Sequence, residues 1–87
     1  MSTEDLIRQR LAALEPETFS LEDESAQHRG HAGAASGGGH FRLTIVSPKF
    51  RNLSTLARHR LVYESMGELM QREIHALSIT ALTPEEL

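Results

Sequence analysis

Apolar and polar positions alternate most regularly over residues 40–46, where Phe41, Leu43 and Ile45 point one way and His40, Arg42 and Thr44 the other. A period of two marks a strand with one face in a core. Residues 74–82 form a second such run, alternating through Leu77 and Ile79, and Thr18, Phe19 and Leu21 predict a shorter strand over 17–23. The first and last parts of the chain change period. Leu6, Ile7, Leu11 and Leu14 share one helical face, Ser2 or Thr3 can cap it, and Pro16 ends it, predicting a helix over 3–14. Leu61, Val62, Met66, Leu69 and Met70 predict a second helix over 55–71. Ser54 is its cap, and Arg58, Arg60, Glu64, Glu68 and Arg72 lie mostly on the opposite face. Gly67 weakens this helix, and the pattern allows either one helix or a split near Arg58 into a short helix and a longer one. Thr83 and Pro84 open a terminal helical turn.

The elements therefore run α, β, β, α (or a split α), β, then a turn, and residues 17–23 and 40–46 form an antiparallel hairpin. At 87 residues the chain is one domain spanning 1–87. Between the first two strands, about residues 24–39, lie five of the six glycines, and a loop of this length and composition is expected to be flexible.

Charge sharpens the picture at one place. Residues 1–24 carry seven acids against Arg8 and Arg10, and residues 64–87 five acids against Arg72, for −5 and −4. Residues 25–63 carry no acid and six bases, for +6, within a net charge of −3. Four of those bases, Lys49, Arg51, Arg58 and Arg60, fall in the stretch 47–62 that joins the strand to the long helix. Such segregation fits an anionic partner, or a compact fold in which the segments neutralise one another. Asn52 supplies the left-handed position of the turn.

The absence of cysteine excludes disulfides, catalytic thiols and an all-thiolate metal site from this chain. Acids in the first residues do not suit a signal peptide, and no run approaches the ~18 apolar residues of a membrane span. A cytoplasmic protein with no membrane contact is expected. Neither a phosphate-binding glycine loop with lysine nor a nucleophile beside an oriented base is present, so an enzyme is not expected. On composition alone His28, His31 and His40 read as surface residues and His75 as a structural histidine at a strand edge. His59, between two arginines, is expected to hydrogen-bond the turn near Ser47.

Phe50, the run Arg58–His59–Arg60–Leu61–Val62, the strand from His40 to Ser47, Ile74–His75–Ala76–Leu77 and the closing Leu82–Thr83–Pro84–Glu85–Glu86 together resemble the BolA family. The resemblance spans nearly the whole chain. Asn52 stands where the family usually has glycine, and the glycine-rich loop is longer than in some members. The resemblance implies a KH-like α+β fold of the second type, a three-stranded mixed sheet with helices on one face. It also implies partnership with monothiol glutaredoxins, in which a [2Fe–2S] cluster with glutathione is shared. This chain, a monomer or weak dimer alone, would contribute imidazole and hold no cofactor by itself. The matching positions are His75 and, three residues after Ser25, His28, with His31 the runner-up. Imidazole can replace thiolate at one iron, and a chain without cysteine must borrow thiolates from its partner. Iron–sulfur trafficking or iron sensing is the role implied.

The same resemblance carries an alternative, a stress-response transcriptional regulator that binds DNA through Lys49, Arg51, Arg58 and Arg60. Residues 47–54 replace the GXXG loop with which KH domains clamp nucleic acid. Four phosphate contacts would give a salt slope of about −3.6.

Overall fold

The computed structural model describes residues 2–24, 39–72 and 74–87. Its elements are α1 (Thr3–Leu11), a 3-10 turn (Ala12–Leu14), β1 (Thr18–Asp23), β2 (Gly39–Val46), a 3-10 turn (Pro48–Phe50), α2 (Thr55–Met66), α3 (Leu69–Arg72), β3 (Ile74–Leu82) and a last 3-10 turn (Pro84–Glu86). The expected flexible loop, with His28 and His31, lies outside the described residues apart from its ends, Glu24 and Gly39.

The three strands form one sheet in the order β1-β2-β3. β1 pairs antiparallel with β2, and β2 pairs parallel with β3. A parallel pair needs a crossover, and α2 with α3 supplies it. The α-β-β-α-α-β order and mixed sheet are those expected of the KH-like fold of the second type. Phe41, Leu43 and Ile45 of β2 are buried together with Ile7, Leu11 and Leu14 of the first helical segment and Val62, Met66 and Leu69 of the second. That face carries the helices. On the opposite face Ser20, Glu22, Arg42, Ala76, Ser78 and Thr80 are exposed.

The first helix begins with a capping box, the Ser2 hydroxyl accepting from the Asp5 N–H while the Asp5 carboxylate accepts from the Ser2 N–H. The expected helix over 3–14 tightens to 3-10 geometry after Leu11, because Glu15 ahead of Pro16 turns left-handed at φ 49°. Proline disfavours only the right-handed region for its predecessor, and the left-handed one remains open. Arg8 then sits over the Phe19 ring, 4.6 Å from its centre, pinning α1 to β1.

The second helical run breaks at Gly67, between α2 and α3, and not near Arg58. Gly67 adopts φ 57° and ψ −128°, a conformation essentially closed to residues with a Cβ. Asn52 takes the left-handed position expected of it, with φ 66°.

Ser47 fastens these parts together. It is fully buried, its N–H donates to the Leu82 carbonyl at 2.9 Å, and its hydroxyl donates to the Leu14 carbonyl at 2.5 Å while accepting the Lys49 N–H at 3.1 Å. The end of the first helical segment, the exit of β2 and the exit of β3 thus meet on one residue, through its backbone N–H and its hydroxyl. His59, expected to bond this turn, is not among the partners of Ser47.

Candidate functional site

Parallel strands joined by a crossover begin side by side, so β2 and β3 bring their first residues to one corner of the sheet. The register slips there: Gly39 pairs with Ile74, whereas His40 pairs with Ala76. His75 is the extra residue of this bulge, the kind of irregularity that re-aims a side chain at the margin of a sheet. Its neighbours Ile74 and Leu77 turn into the core, while His75 itself is exposed. Its ring lies beside that of His40, with 5.0 Å between centres and 38° between planes. His40, read from composition as a surface residue, is half-buried.

The corner is built on Gly39. A Cβ at that position would lie 2.3 Å from Cε2 of Phe41, whose ring is buried beneath it. Any larger residue where β2 starts would have to displace the Phe41 ring from its place in the core. The far side is stitched by Glu24. Its N–H donates to the His40 carbonyl at 2.7 Å, and its largely shielded carboxylate pairs with Arg42 at 3.1 Å. Glu24 and Gly39 bound the segment that carries His28 and His31, so the segment leaves and rejoins the described fold beside the two rings. No group of three histidine, cysteine or acidic side chains suited to a metal ion occurs among the described residues. Two imidazoles can form part of a ligand set there, and the rest must come from elsewhere.

The basic stretch is arranged differently from its sequence pattern. Lys49 pairs loosely with Glu15 at 3.8 Å. Arg51 makes a two-pronged contact with Glu85, 2.7 Å from Nε to Oε1 and 2.5 Å from Nη2 to Oε2. This pairing raises the Arg51 guanidinium and lowers the Glu85 carboxyl from their ordinary values. Arg58, expected on the exposed side of the helix, is instead tucked in, its side chain 12% exposed. It donates to the carbonyls of Leu53 at 3.0 Å and Ala81 at 3.1 Å, and to Glu86 at 2.6 Å. The same Glu86 oxygen accepts the Thr83 N–H at 2.8 Å and the Thr83 hydroxyl at 2.9 Å. These bonds, the Thr83 N–H first and then Arg58, hold the Glu86 carboxyl down to about 2 from an ordinary 4.5. Arg60 is exposed and has no carboxylate partner among the described residues. The stretch is in large part a clamp for the C-terminal turn.

Neither the His40–His75 approach nor the Arg58 clamp was read from the sequence. For the histidines a signal existed: both stand one residue inside strands that a β-α-β unit must lay parallel. For Arg58 none did, since its acceptors at Ala81 and Glu86 are far away along the chain.

The family model described as BolA-like protein matches residues 11–86. BolA-like protein 1 of Mus musculus is 44% identical over 84 residues, covering 95% of this chain and 59% of the relative. A SufE-like protein 1, chloroplastic/mitochondrial, of Arabidopsis thaliana is 41% identical over 87 residues, covering 93% of this chain and 24% of the relative. The chain thus spans about three fifths of the first and a quarter of the second. The DNA-binding transcriptional regulator BolA of Haemophilus influenzae is 34% identical over 87 residues, 99% of this chain and 82% of the relative. Among solved structures, the BolA domain of SufE1 from Arabidopsis thaliana superimposes with a TM-score of 0.87 at 41% identity, covering 100% of this chain and 98% of that one.

Proposed function

We propose, from the premise that this chain belongs to the BolA-like protein family, that it is a non-catalytic adaptor which shares a [2Fe–2S] cluster with a monothiol glutaredoxin in iron–sulfur trafficking or iron sensing. The observation that carries the reading is the exposure of His75 at the bulged corner of the sheet, on a chain that has no thiolate of its own. When bound, the cluster would supply the iron that imidazole ligates, at a higher potential than thiolates alone would give. The residues present fit that donor set in part: His75 offers imidazole to solvent, and the partner would supply thiolate together with glutathione. His28 is the loop ligand in this reading and His31 its runner-up. His28 follows Glu24 by four residues, a reach of at most about 14 Å from a residue whose N–H touches the His40 carbonyl. The occurrence of a similar domain as about a quarter of a longer plant protein suits a module that works by attachment.

Anaerobic co-purification with a monothiol glutaredoxin, followed by iron and sulfide analysis, tests the reading. A one-to-one complex with about two irons and two sulfides is expected. A complex without iron, or no complex, would contradict it.

A second reading, DNA binding in transcriptional regulation, is favoured by the Haemophilus influenzae relative of that description and by exposed Arg60. Lys49, Arg51 and Arg58 would have to exchange Glu15, Glu85 and Glu86 for phosphates. A salt titration on promoter and random duplexes separates specific binding from none. Concerning place, no described helix is long and apolar enough to cross a membrane. Relatives that include chloroplast proteins leave cytoplasmic residence a proposal.

A further inference from the structure

His40 is not one of the residues that the shared-cluster reading uses, yet it is the closest described imidazole to His75. A tetrahedral ion bound by two imidazoles through M–N bonds of 2.0–2.1 Å holds the ring centres about 5.2 Å apart. The rings of His40 and His75 stand at 5.0 Å. The pair therefore has the spacing of a chelate without any backbone movement.

The backbone also fixes the two residues where most surface histidines would be free. β2 and β3 are paired from Gly39 and Ile74 onward, the Glu24 N–H holds the His40 carbonyl, and Gly39 sits against the Phe41 ring. With the backbone of both residues already held in place, only their side-chain rotamers remain to be ordered on binding. His40 is half-buried and its Nε2 is withdrawn from solvent, so binding requires its ring to turn and exchange the contacts it now makes. Arg42, two residues along β2 from His40, is already paired with Glu24. Imidazole donors without thiolate suit a borderline divalent ion of the Zn2+ class and not a hard ion such as Mg2+ or Ca2+.

We propose that His40 and His75 form a two-imidazole site at which the chain alone, without glutaredoxin or a cluster, binds Zn2+, with water completing the coordination. Because His75 belongs to both sites, Zn2+ and the shared cluster exclude one another. The site does not depend on the cluster reading and is tested on the isolated chain.

The test is a calorimetric Zn2+ titration of the full chain, followed in parallel by the imidazole proton resonances. His40→Ala and His75→Ala are each expected to weaken binding by about ten-fold or more. His59→Ala and the double variant His28→Ala/His31→Ala are expected to bind as the unaltered chain does. In the unaltered chain, the His40 and His75 resonances shift together at one equivalent of metal. Thermal unfolding of each variant reports whether it has kept its fold, and the resonance shifts of the unaltered chain decide the matter if either has not. Binding by His40→Ala within about two-fold of the unaltered chain overturns the proposal, as does loss of binding in the His28/His31 double variant. A titration that moves only one of the two sets of resonances overturns it too.

Discussion

The imidazole rings of His40 and His75, 35 residues apart in the chain, stand 5.0 Å from centre to centre at the corner where β2 and β3 begin. The parallel pairing brings them near one another, and the slipped register at Gly39 and His40 makes His75 the extra residue of the bulge. Anything that moves the start of β2 should therefore be felt at His75.

Gly39→Ala is the direct probe of that coupling. The added Cβ meets Cε2 of Phe41 at 2.3 Å and forces the buried ring to shift. Overpacking of this kind costs about 1–3 kcal/mol. Urea unfolding should show a lower midpoint, and the His75 resonances should move although the substitution is remote in sequence.

Ser47→Ala should destabilise the chain by about 1–3 kcal/mol, since it leaves the Leu14 carbonyl and the Lys49 N–H without the buried hydroxyl that serves both. The midpoint should fall with an unchanged denaturant slope, while Ser54→Ala, which removes only an exposed helix cap, should cost less.

Acid should release the C-terminal turn. Glu86 titrates at about 2 in the folded chain against an ordinary 4.5, so its contribution to stability is complete above pH 4.5 and is lost as the pH falls toward 2. Glu85, lowered chiefly by its bond to Arg51, adds in the same direction. Glu86→Gln should be less stable than the unaltered chain at pH 6, and the gap should close as both approach pH 2. Unfolding curves at several pH values check this.

Arg58 and Arg60 should separate structure from any nucleic-acid role. Arg58→Ala removes donors from Leu53, Ala81 and Glu86 and should lower thermal stability. Arg58→Lys should rescue it incompletely, because one ammonium cannot reproduce the fork. Arg60→Ala should leave stability within about 0.5 kcal/mol. If the chain binds duplex DNA through this face, Arg60→Ala should reduce the salt slope by about 1.

Most of the fold could be read because its signals are local. The strand expected over 74–82 is found as Ile74–Leu82, and that over 40–46 begins one residue earlier, at Gly39. Thr83 at the N-cap and Pro84 at the first helical position start the last turn as expected. The two helices were overlong for local reasons of another kind. Glu15 turns left-handed where an extended residue was the simpler expectation, and Gly67 ends α2 through a conformation that propensity lists only as weakness. The family and the candidacy of His75 followed from the run Ile74–His75–Ala76–Leu77. The companionship of His40 did not, because it depends on which residue of β2 faces which residue of β3. A slip of one position decides that, and apolar alternation on both strands is unchanged by it. Arg58 looked like one of several cations on a polar face, and its role rests on carbonyl and carboxylate acceptors beyond the reach of helical periodicity.

The most direct test of the central claim is the visible absorption and circular dichroism spectrum of the cluster reconstituted with a monothiol glutaredoxin, glutathione, iron and sulfide. With the unaltered chain, the spectrum is expected to differ from that of the glutaredoxin alone, and His75→Ala is expected to return it to the glutaredoxin form. A His75→Ala chain that stays folded and gives the same spectrum as the unaltered one would contradict the account.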